Sequence, residues 1–426
     1  MKEELLHFIW KYQLFKSTDL KTNEGESIQI IHQGLLNQDA GPDFSQAKVK
    51  IGETVWAGNI ELHVNSSDWF KHKHHADPAY QNVILHVVYE IDSDRIHDLH
   101  CPTLSLSEFM NMNLINYHQY LMQNRQWIPC LSQLHQVDPL SKLTWQNRLL
   151  VIRFERKYAQ IQLSLAANES DWQQSFYEHL AKSFGYKVNA DAFENLATRT
   201  PFKLFSWHKN NLLQIEALLF GQSGLLPTIA KDSYTQTLVK EYEFLKSKYG
   251  LTPLSKTTWK FARMRPSNFP TIRISQLAYL LSKSSSLFSK ITEITQLSEL
   301  YHLFQTEASY YWAEHYQFDQ VSNQKRRKKL GVSSIHILLI NSVIPFLFAF
   351  GKEKQLEHLV ERSIDFIETL KAENNAITNR MHEIGFENKN AAHSQALIEL
   401  YTHYCKNKKC LECNMGTSLL RKQTLN

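Results

Sequence analysis

GPDFSQAKVKIGETVWAGNIELHV, residues 41–64, is the stretch whose reading decides the fold of the first part of the chain. In its second half Ile60, Leu62 and Val64 fall on one side of an extended chain and Asn59, Glu61 and His63 on the other, because successive strand side chains point to opposite faces. Gly52 and Glu53 separate residues 47–51 from residues 54–64, which predicts a β-hairpin with its turn at that pair. Asp43 stands just before the first of these strands. A hairpin that brings Asp43 beside Glu61 lets two carboxylates share a Mg²⁺ or Mn²⁺ ion, with His63 placed to contact or deprotonate a water.

Working outward, residues 28–32 alternate like a strand, and VILHVVYE at 83–90 is apolar on both faces, as expected of a central strand. A short strand is expected near 103–106, with helices over 3–15 and from 107 onward. The expectation is an α+β (or α/β) module over residues 1–135, a mixed sheet flanked by helices. From residue 138 the apolar period becomes helical, as at 170–185, 211–221, 234–249, 272–284, 334–350 and 353–372, with no fixed repeat. Residues 136–426 are therefore read as a larger all-helical domain. A chain of 426 residues exceeds the usual reach of one core, which agrees with two domains.

Composition narrows the class. Hydrophobic residues at 43% and charged residues at 21% exclude a disordered or collagenous chain, and a net charge of +5 permits an anionic partner without demanding one. The N-terminus begins acidic and shows no basic leader with a cleavage site. Residues 335–350 are apolar but interrupted by His336, Asn341, Ser342 and Pro345, so a buried helix is expected there rather than a membrane span. The five cysteines are odd in number and crowd toward the C-terminus, unlike a secreted disulfide framework. These features together predict a cytoplasmic protein without a membrane partner.

The 20 histidines are more than the length leads one to expect, and several cluster after the hairpin. His72, His74 and His75 stand within a few residues of Asp68 and Asp77, close enough in sequence to complete a metal site or to place general acids, with His74 preferred for its spacing from Asp77. His86, inside an apolar strand, reads as a core histidine. Pro42-Asp43 followed by Glu61-x-His63 resembles the motif of the PD-(D/E)xK nuclease superfamily. That resemblance implies a restriction-endonuclease-like sheet, with Asp43 and Glu61 as metal ligands. The superfamily usually has Lys where this chain has His63, so the resemblance implies either that His63 serves as the base or that the site is degenerate. The strings GPDF, WAGNIELHVNSSDWFKHKH, DPAYQNVILHVVYE, RMRPSNFPTIRISQLA, INSVIPFLFAFG and CLECNMG closely resemble the uncharacterised bacterial domain-of-unknown-function family 2851 over nearly the whole chain. That kinship implies no particular activity.

Two further features carry expectations. Arg263, Arg265 and Arg273 interleave with Phe and Pro, which suits either a nucleic-acid contact or a structural elbow, and Lys325 to Lys329 is a basic loop. Cys405, Cys410 and Cys413, with His403 nearby, have spacings compatible with a structural Zn²⁺. The functional expectation is a metal-dependent nuclease using Asp43, Glu61, His63 and His74. A non-catalytic nucleic-acid-binding or scaffold protein and a metal-dependent hydrolase of a smaller substrate are the alternatives.

Overall fold

The computed structural model describes residues 1–37, 39–284 and 286–424. The chain divides into two compact units, residues 1–146 with 399–426, and residues 147–398. The sequence places the division at 135/136 and assigns the tail to the helical domain. The structure returns the tail to the first unit. Asn111 Nδ2 donates to the Gln423 carbonyl at 3.1 Å, Lys422 Nζ donates to the Gln136 carbonyl at 2.6 Å, and the Arg421 guanidinium sits 4.0 Å over the Tyr12 ring. Such long-range contacts leave no trace in a local hydrophobic period.

The first unit is built on a mixed sheet. Its strands are β1 (Ile28–His32), β2 (Leu35–Leu36), β3 (Phe44–Ile51), β4 (Thr54–Asn65), β5 (Val83–Glu90) and β6 (Thr103–Ser105). The spatial order is β1-β3-β4-β5-β6, with β2 also pairing β3. The β1–β3 and β3–β4 pairs are antiparallel, whereas the β4–β5 and β5–β6 pairs are parallel. The expected hairpin is β3–β4, and Gly52 takes φ +56° in its turn, a conformation costly for other residues. Within β3 the partner of Phe44 is Ile60 but that of Ala47 is Gly58, so one extra residue is accommodated and Gln46 takes φ +58°. This bulge sets the register in which Asp43 comes opposite Glu61.

Val83 to Val88 are buried throughout, as a central strand requires. Strand β4 departs from the simple alternation, because Glu61 and His63 are as buried as Ile60 and Leu62. Helix α1 (Glu3–Lys11), which buries Leu5, Leu6, Phe8, Ile9 and Trp10, packs on β4. The crossover of residues 66–82 between β4 and β5 covers the Glu61 and His63 face. A parallel pair cannot be joined by a tight turn, so this crossover is obligatory, and it carries His72, His74 and His75.

In the second unit, helices such as Trp172–Phe184, Leu212–Gln222 and Pro270–Ser282 surround an aromatic core that includes Phe176, Phe193, Phe220, Phe304 and Phe346, each no more than 1% exposed. Asp171 caps the first of these helices by accepting from the Gln174 N–H at 2.9 Å, and Pro270 opens the last, where its missing N–H costs nothing. Helical residues Val332–Glu353 are long and apolar enough to cross a membrane, yet 67% of their most apolar window is buried, as in a core helix. Its turns widen over Leu339–Val343, immediately before Pro345 interrupts the hydrogen-bond ladder. On helix Leu212–Gln222, Glu216 is 1% exposed and accepts from Ser275 Oγ at 2.6 Å and Tyr234 Oη at 2.8 Å. Burial pushes its pKa up to about 7 against the pull of those hydroxyls.

Candidate metal centre

The hairpin joins two carboxylates through the backbone. The Asp43 N–H donates to Glu61 Oε2 at 3.0 Å, and the Leu62 N–H donates to Asp43 Oδ2 at 2.9 Å. His7 of α1 reaches the same Asp43 oxygen, with Nε2 3.2 Å away. Asp43 is the more accessible acid, its side chain 21% exposed against 5% for Glu61.

The crossover then folds imidazoles onto this face. Helix α2 (Asp68–Lys71) ends at His72, and Lys73 takes φ +64°, turning the chain so that His72 and His74 both reach back to β4. His72 Nδ1 lies 3.2 Å from His63 Nε2. His74 Nε2 lies 3.2 Å from Glu61 Oε1, which is itself 3.7 Å from His63 Nε2. The ligand atoms of His63, His72 and His74 all fall within 4.8 Å of one another. Behind them His86 Nε2 is 2.9 Å from His63 Nδ1, and the Tyr80 ring stacks on His74 with centroids 3.8 Å apart. His75 is exposed with its ring 5.3 Å from Phe70, and Asp77 caps a single 3₁₀ turn by accepting from the Ala79 N–H.

Electrostatics follow from this crowding. Burial, reinforced by the charge of Asp43, pushes the Glu61 pKa up to about 9. Burial and the neighbouring imidazoles push His63 down to about 2, and burial lowers His86 to about 3. His74 is lowered by burial and by His72. For His7, burial acts to lower the pKa, but the hydrogen bond and charge of Asp43 outweigh it and the net shift is upward. The cluster thus sets His63 and His74, whose charged forms burial disfavours, beside a Glu61 carboxyl whose charged form burial also disfavours, a donor set that could hold a divalent cation.

A tetrahedral ion with nitrogen ligands at about 2.0–2.1 Å has ligand–ligand edges of roughly 3.3 Å. The separations of 3.2 Å from His72 to His63, 3.2 Å from His74 to Glu61 and 3.7 Å from Glu61 to His63 are near that size, whereas among the described residues the set with all its ligand atoms within 4.8 Å is the three histidines without Glu61. A metal on His63 Nε2 leaves the proton on Nδ1, where it can be donated to His86 Nε2, an outer-shell bond that fixes the ring. The sequence paired Asp43 with Glu61 and favoured His74 alone of the crossover histidines. The structure adds His72, puts Asp43 beside the histidine set, and joins His7, His86 and Tyr80 to it.

The other sequence candidates lie apart from this constellation. Arg273 is buried, with its guanidinium 4.7 Å from the Tyr186 ring and bonded to Gln276, Asn268 and Ser334, which makes it an internal clamp, while Arg263 and Arg265 are exposed. The basic run is largely tied down: Lys325 pairs with Glu314, Arg327 with Glu307, and Lys328 donates to the carbonyls of Trp312 and Ala313. His403 is 44% exposed and 3.9 Å from Glu399, outside the cavity that Cys405, Cys410 and Cys413 line. A groove of about 700 Å³ in the first unit includes His7 and is of mixed charge, lined by Lys2, Lys11, Lys408 and Lys409 and by Glu4 and Glu412, the last paired with Lys409.

Residues 3–376 match the family described as protein of unknown function (DUF2851), and the chain belongs to that family. No curated protein and no solved structure matches the chain.

Proposed function

We propose that this member of the DUF2851 family is a metal-dependent phosphodiesterase acting on nucleic acid, its divalent ion held by His63, His72, His74 and Glu61. The observation that carries the reading is the convergence of the His63, His72 and His74 ligand atoms within 4.8 Å of one another, with Glu61 Oε1 3.2 Å from His74 and 3.7 Å from His63. Three imidazoles and one carboxylate suit Zn²⁺, Mn²⁺ or Fe²⁺ better than Mg²⁺, which prefers oxygen. A bound ion would act there as a Lewis acid toward a phosphoryl oxygen. Asp43, with Oδ2 fixed by the Leu62 N–H and His7, stands at the accessible edge of the cluster to orient a water. Tyr80 holds the His74 ring, and His86 holds that of His63. The groove that includes His7 carries Lys2 and Lys11 beside Glu4, and gives an extended substrate room next to Asp43.

The test is cleavage of single-stranded, duplex and structured DNA and RNA with Mn²⁺, Zn²⁺ or Mg²⁺ supplied in turn. Activity that needs a transition metal and is lost in His72→Ala and Asp43→Ala is expected. Silence across the panel overturns the reading, and salt-sensitive binding without cleavage, indifferent to Asp43→Ala, points to a scaffold protein instead. A second reading, hydrolysis of a smaller phosphate ester, draws on the depth of the cluster, where Glu61 and His63 are 4% and 1% exposed. Turnover of bis(p-nitrophenyl) phosphate without turnover of any polynucleotide would favour it.

A further inference from the structure

A group of aromatic rings stands in solvent on the second unit. Helix Phe202–Trp207 ends on Trp207, which is 60% exposed, and helix Ser233–Tyr249 carries Phe244, which is 59% exposed. Aromatic side chains gain much from burial, so two large ones left open form a surface that the fold itself does not use. The two helices meet through Tyr249, whose ring stacks on Trp207 with centroids 5.5 Å apart and planes 30° apart. Tyr249 is fixed from behind: His208 Nε2 lies 2.9 Å from its Oη, and His208 Nδ1 lies 2.6 Å from Gln214 Oε1. The Tyr249 hydroxyl and one face of Trp207 are thus committed, and most of the Trp207 ring is left to solvent. Lys248 Nζ joins the third ring to the group, 5.1 Å from the Tyr249 centroid and 5.9 Å from that of Phe244.

The free charge around the rings is of one sign. Residues four apart share a helix face, so Lys240, Phe244 and Lys248 form one stripe and Lys203 and Trp207 another, with Lys209 just past the end of the second. Lys203, Lys209, Lys240 and Lys248 are exposed, and among the described residues none of them pairs with a carboxylate. The acids on the same helix are occupied: Glu243 pairs with Lys246 at 3.5 Å, and Glu241 accepts from Gln214 Nε2 at 2.7 Å. Rings that can stack, among cations that stay unpaired, suit a partner with flat faces and a repeated negative charge, which is single-stranded nucleic acid. A duplex keeps its base faces stacked inside and offers the rings nothing. A lipid surface asks for an apolar tip standing clear of the charges, whereas here Lys248 lies over two of the three rings.

We propose that Trp207, Tyr249 and Phe244, with Lys203, Lys240 and Lys248, form a platform on the second unit that binds single-stranded DNA or RNA, Trp207 and Phe244 each stacking a base and the lysines meeting phosphates. The platform specifies the strand form of the substrate proposed above. It rests on that reading for its part in turnover but not for binding, which needs no metal.

The test is fluorescence anisotropy of labelled oligothymidylate and oligouridylate with the full chain in EDTA, which keeps cleavage out of the measurement. At least one of these single strands is expected to bind more tightly than a duplex of equal length at the same salt. Trp207→Ala and Phe244→Ala should each weaken binding roughly five- to a hundredfold, and Trp207→Phe should restore part of the loss, because Phe also stacks. Lys203→Gln with Lys248→Gln should lower the slope of log affinity against log salt by about 0.7 for each phosphate contact removed. Ultraviolet crosslinking of the wild-type complex, read by mass spectrometry, should place the oligonucleotide on the peptides that carry Trp207 and Phe244, a result that depends on no variant folding. No binding to either oligonucleotide, tighter binding to the duplex, unchanged affinity in Trp207→Ala, crosslinks confined to the Lys325–Lys329 loop, equal competition by polyglutamate of matched charge, or Trp207-dependent sedimentation with phosphatidylserine vesicles in place of oligonucleotide binding would each overturn the proposal. Trp207-dependent binding by a protein that cleaves nothing keeps the platform and removes the phosphodiesterase reading, whereas cleavage with binding indifferent to Trp207 does the reverse.

Discussion

Replacing His86 by Phe tests whether the buried histidines serve a metal or merely pack. His86 is 0% exposed on β5, opposite Glu61 in register, and its Nε2 is 2.9 Å from His63 Nδ1. Phe keeps an aromatic ring of similar bulk and removes the acceptor that orients His63. Loss of such an outer-shell partner typically weakens metal binding ten- to a hundredfold, or about 1.4–2.7 kcal/mol. At saturating metal the same amount disappears from the metal-dependent part of the stability, because that part grows as RT ln(1 + [L]/Kd). Titration calorimetry with Mn²⁺ measures the affinity, and unfolding in Mn²⁺ and in EDTA separates the metal-linked stability from packing. The expected result is a Kd at least about tenfold weaker and a smaller metal-induced gain. Equal affinity and equal gain in wild type and variant, with only the EDTA stability lowered, would reduce His86 to a packing residue and refute the reasoning.

Glu216 makes the stability of the second unit depend on pH. Its folded pKa of about 7 lies above the ordinary 4.5, so between those values the folded state holds a proton that the unfolded state has released, and stability falls as pH rises through that window. The loss is about 3 kcal/mol by pH 7, and Glu216→Gln should flatten the slope between urea unfolding at pH 5 and pH 8; an unchanged slope would contradict this. Phe346→Ala removes a fully buried ring packed against Trp172, Phe176 and Phe288, and chemical denaturation should show a loss of about 3–5 kcal/mol. Asp43→Asn should leave Mn²⁺ affinity within about threefold of wild type while abolishing cleavage, since Asp43 stands beside the proposed ligands; loss of the metal itself would make Asp43 a ligand.

The hairpin was legible because strand alternation and a glycine turn are local signals, and β5 was legible because a strand buried on both faces reads as an unbroken apolar run. The site was legible only in outline. Whether Asp43 meets Glu61 depends on the bulge at Gln46, and a one-residue shift in register would have separated them. Which crossover histidines turn inward depends on Lys73 at φ +64°, a conformation that no lysine announces in sequence. The burial of the face that carries Glu61 and His63 leaves no local signal, because its cover, α1 and the crossover, comes from elsewhere in the chain. The approach of Cys130 to the tail cysteines escapes the sequence for the same reason, since the return of the tail is a tertiary event. In the helical unit, periodicity and caps such as Asp171 located the helices, while the polar network around Glu216 is assembled from several helices and had no sequence signature.

Anomalous diffraction from crystals grown with Mn²⁺ or Zn²⁺ reads out whether three imidazoles and one carboxylate share an ion. One peak is expected, about 2.0–2.2 Å from His63 Nε2, His72 Nδ1, His74 Nε2 and Glu61 Oε1. Crystals that show no peak among these four atoms at saturating metal, or a peak held by Asp43 with the imidazoles turned away, would contradict it.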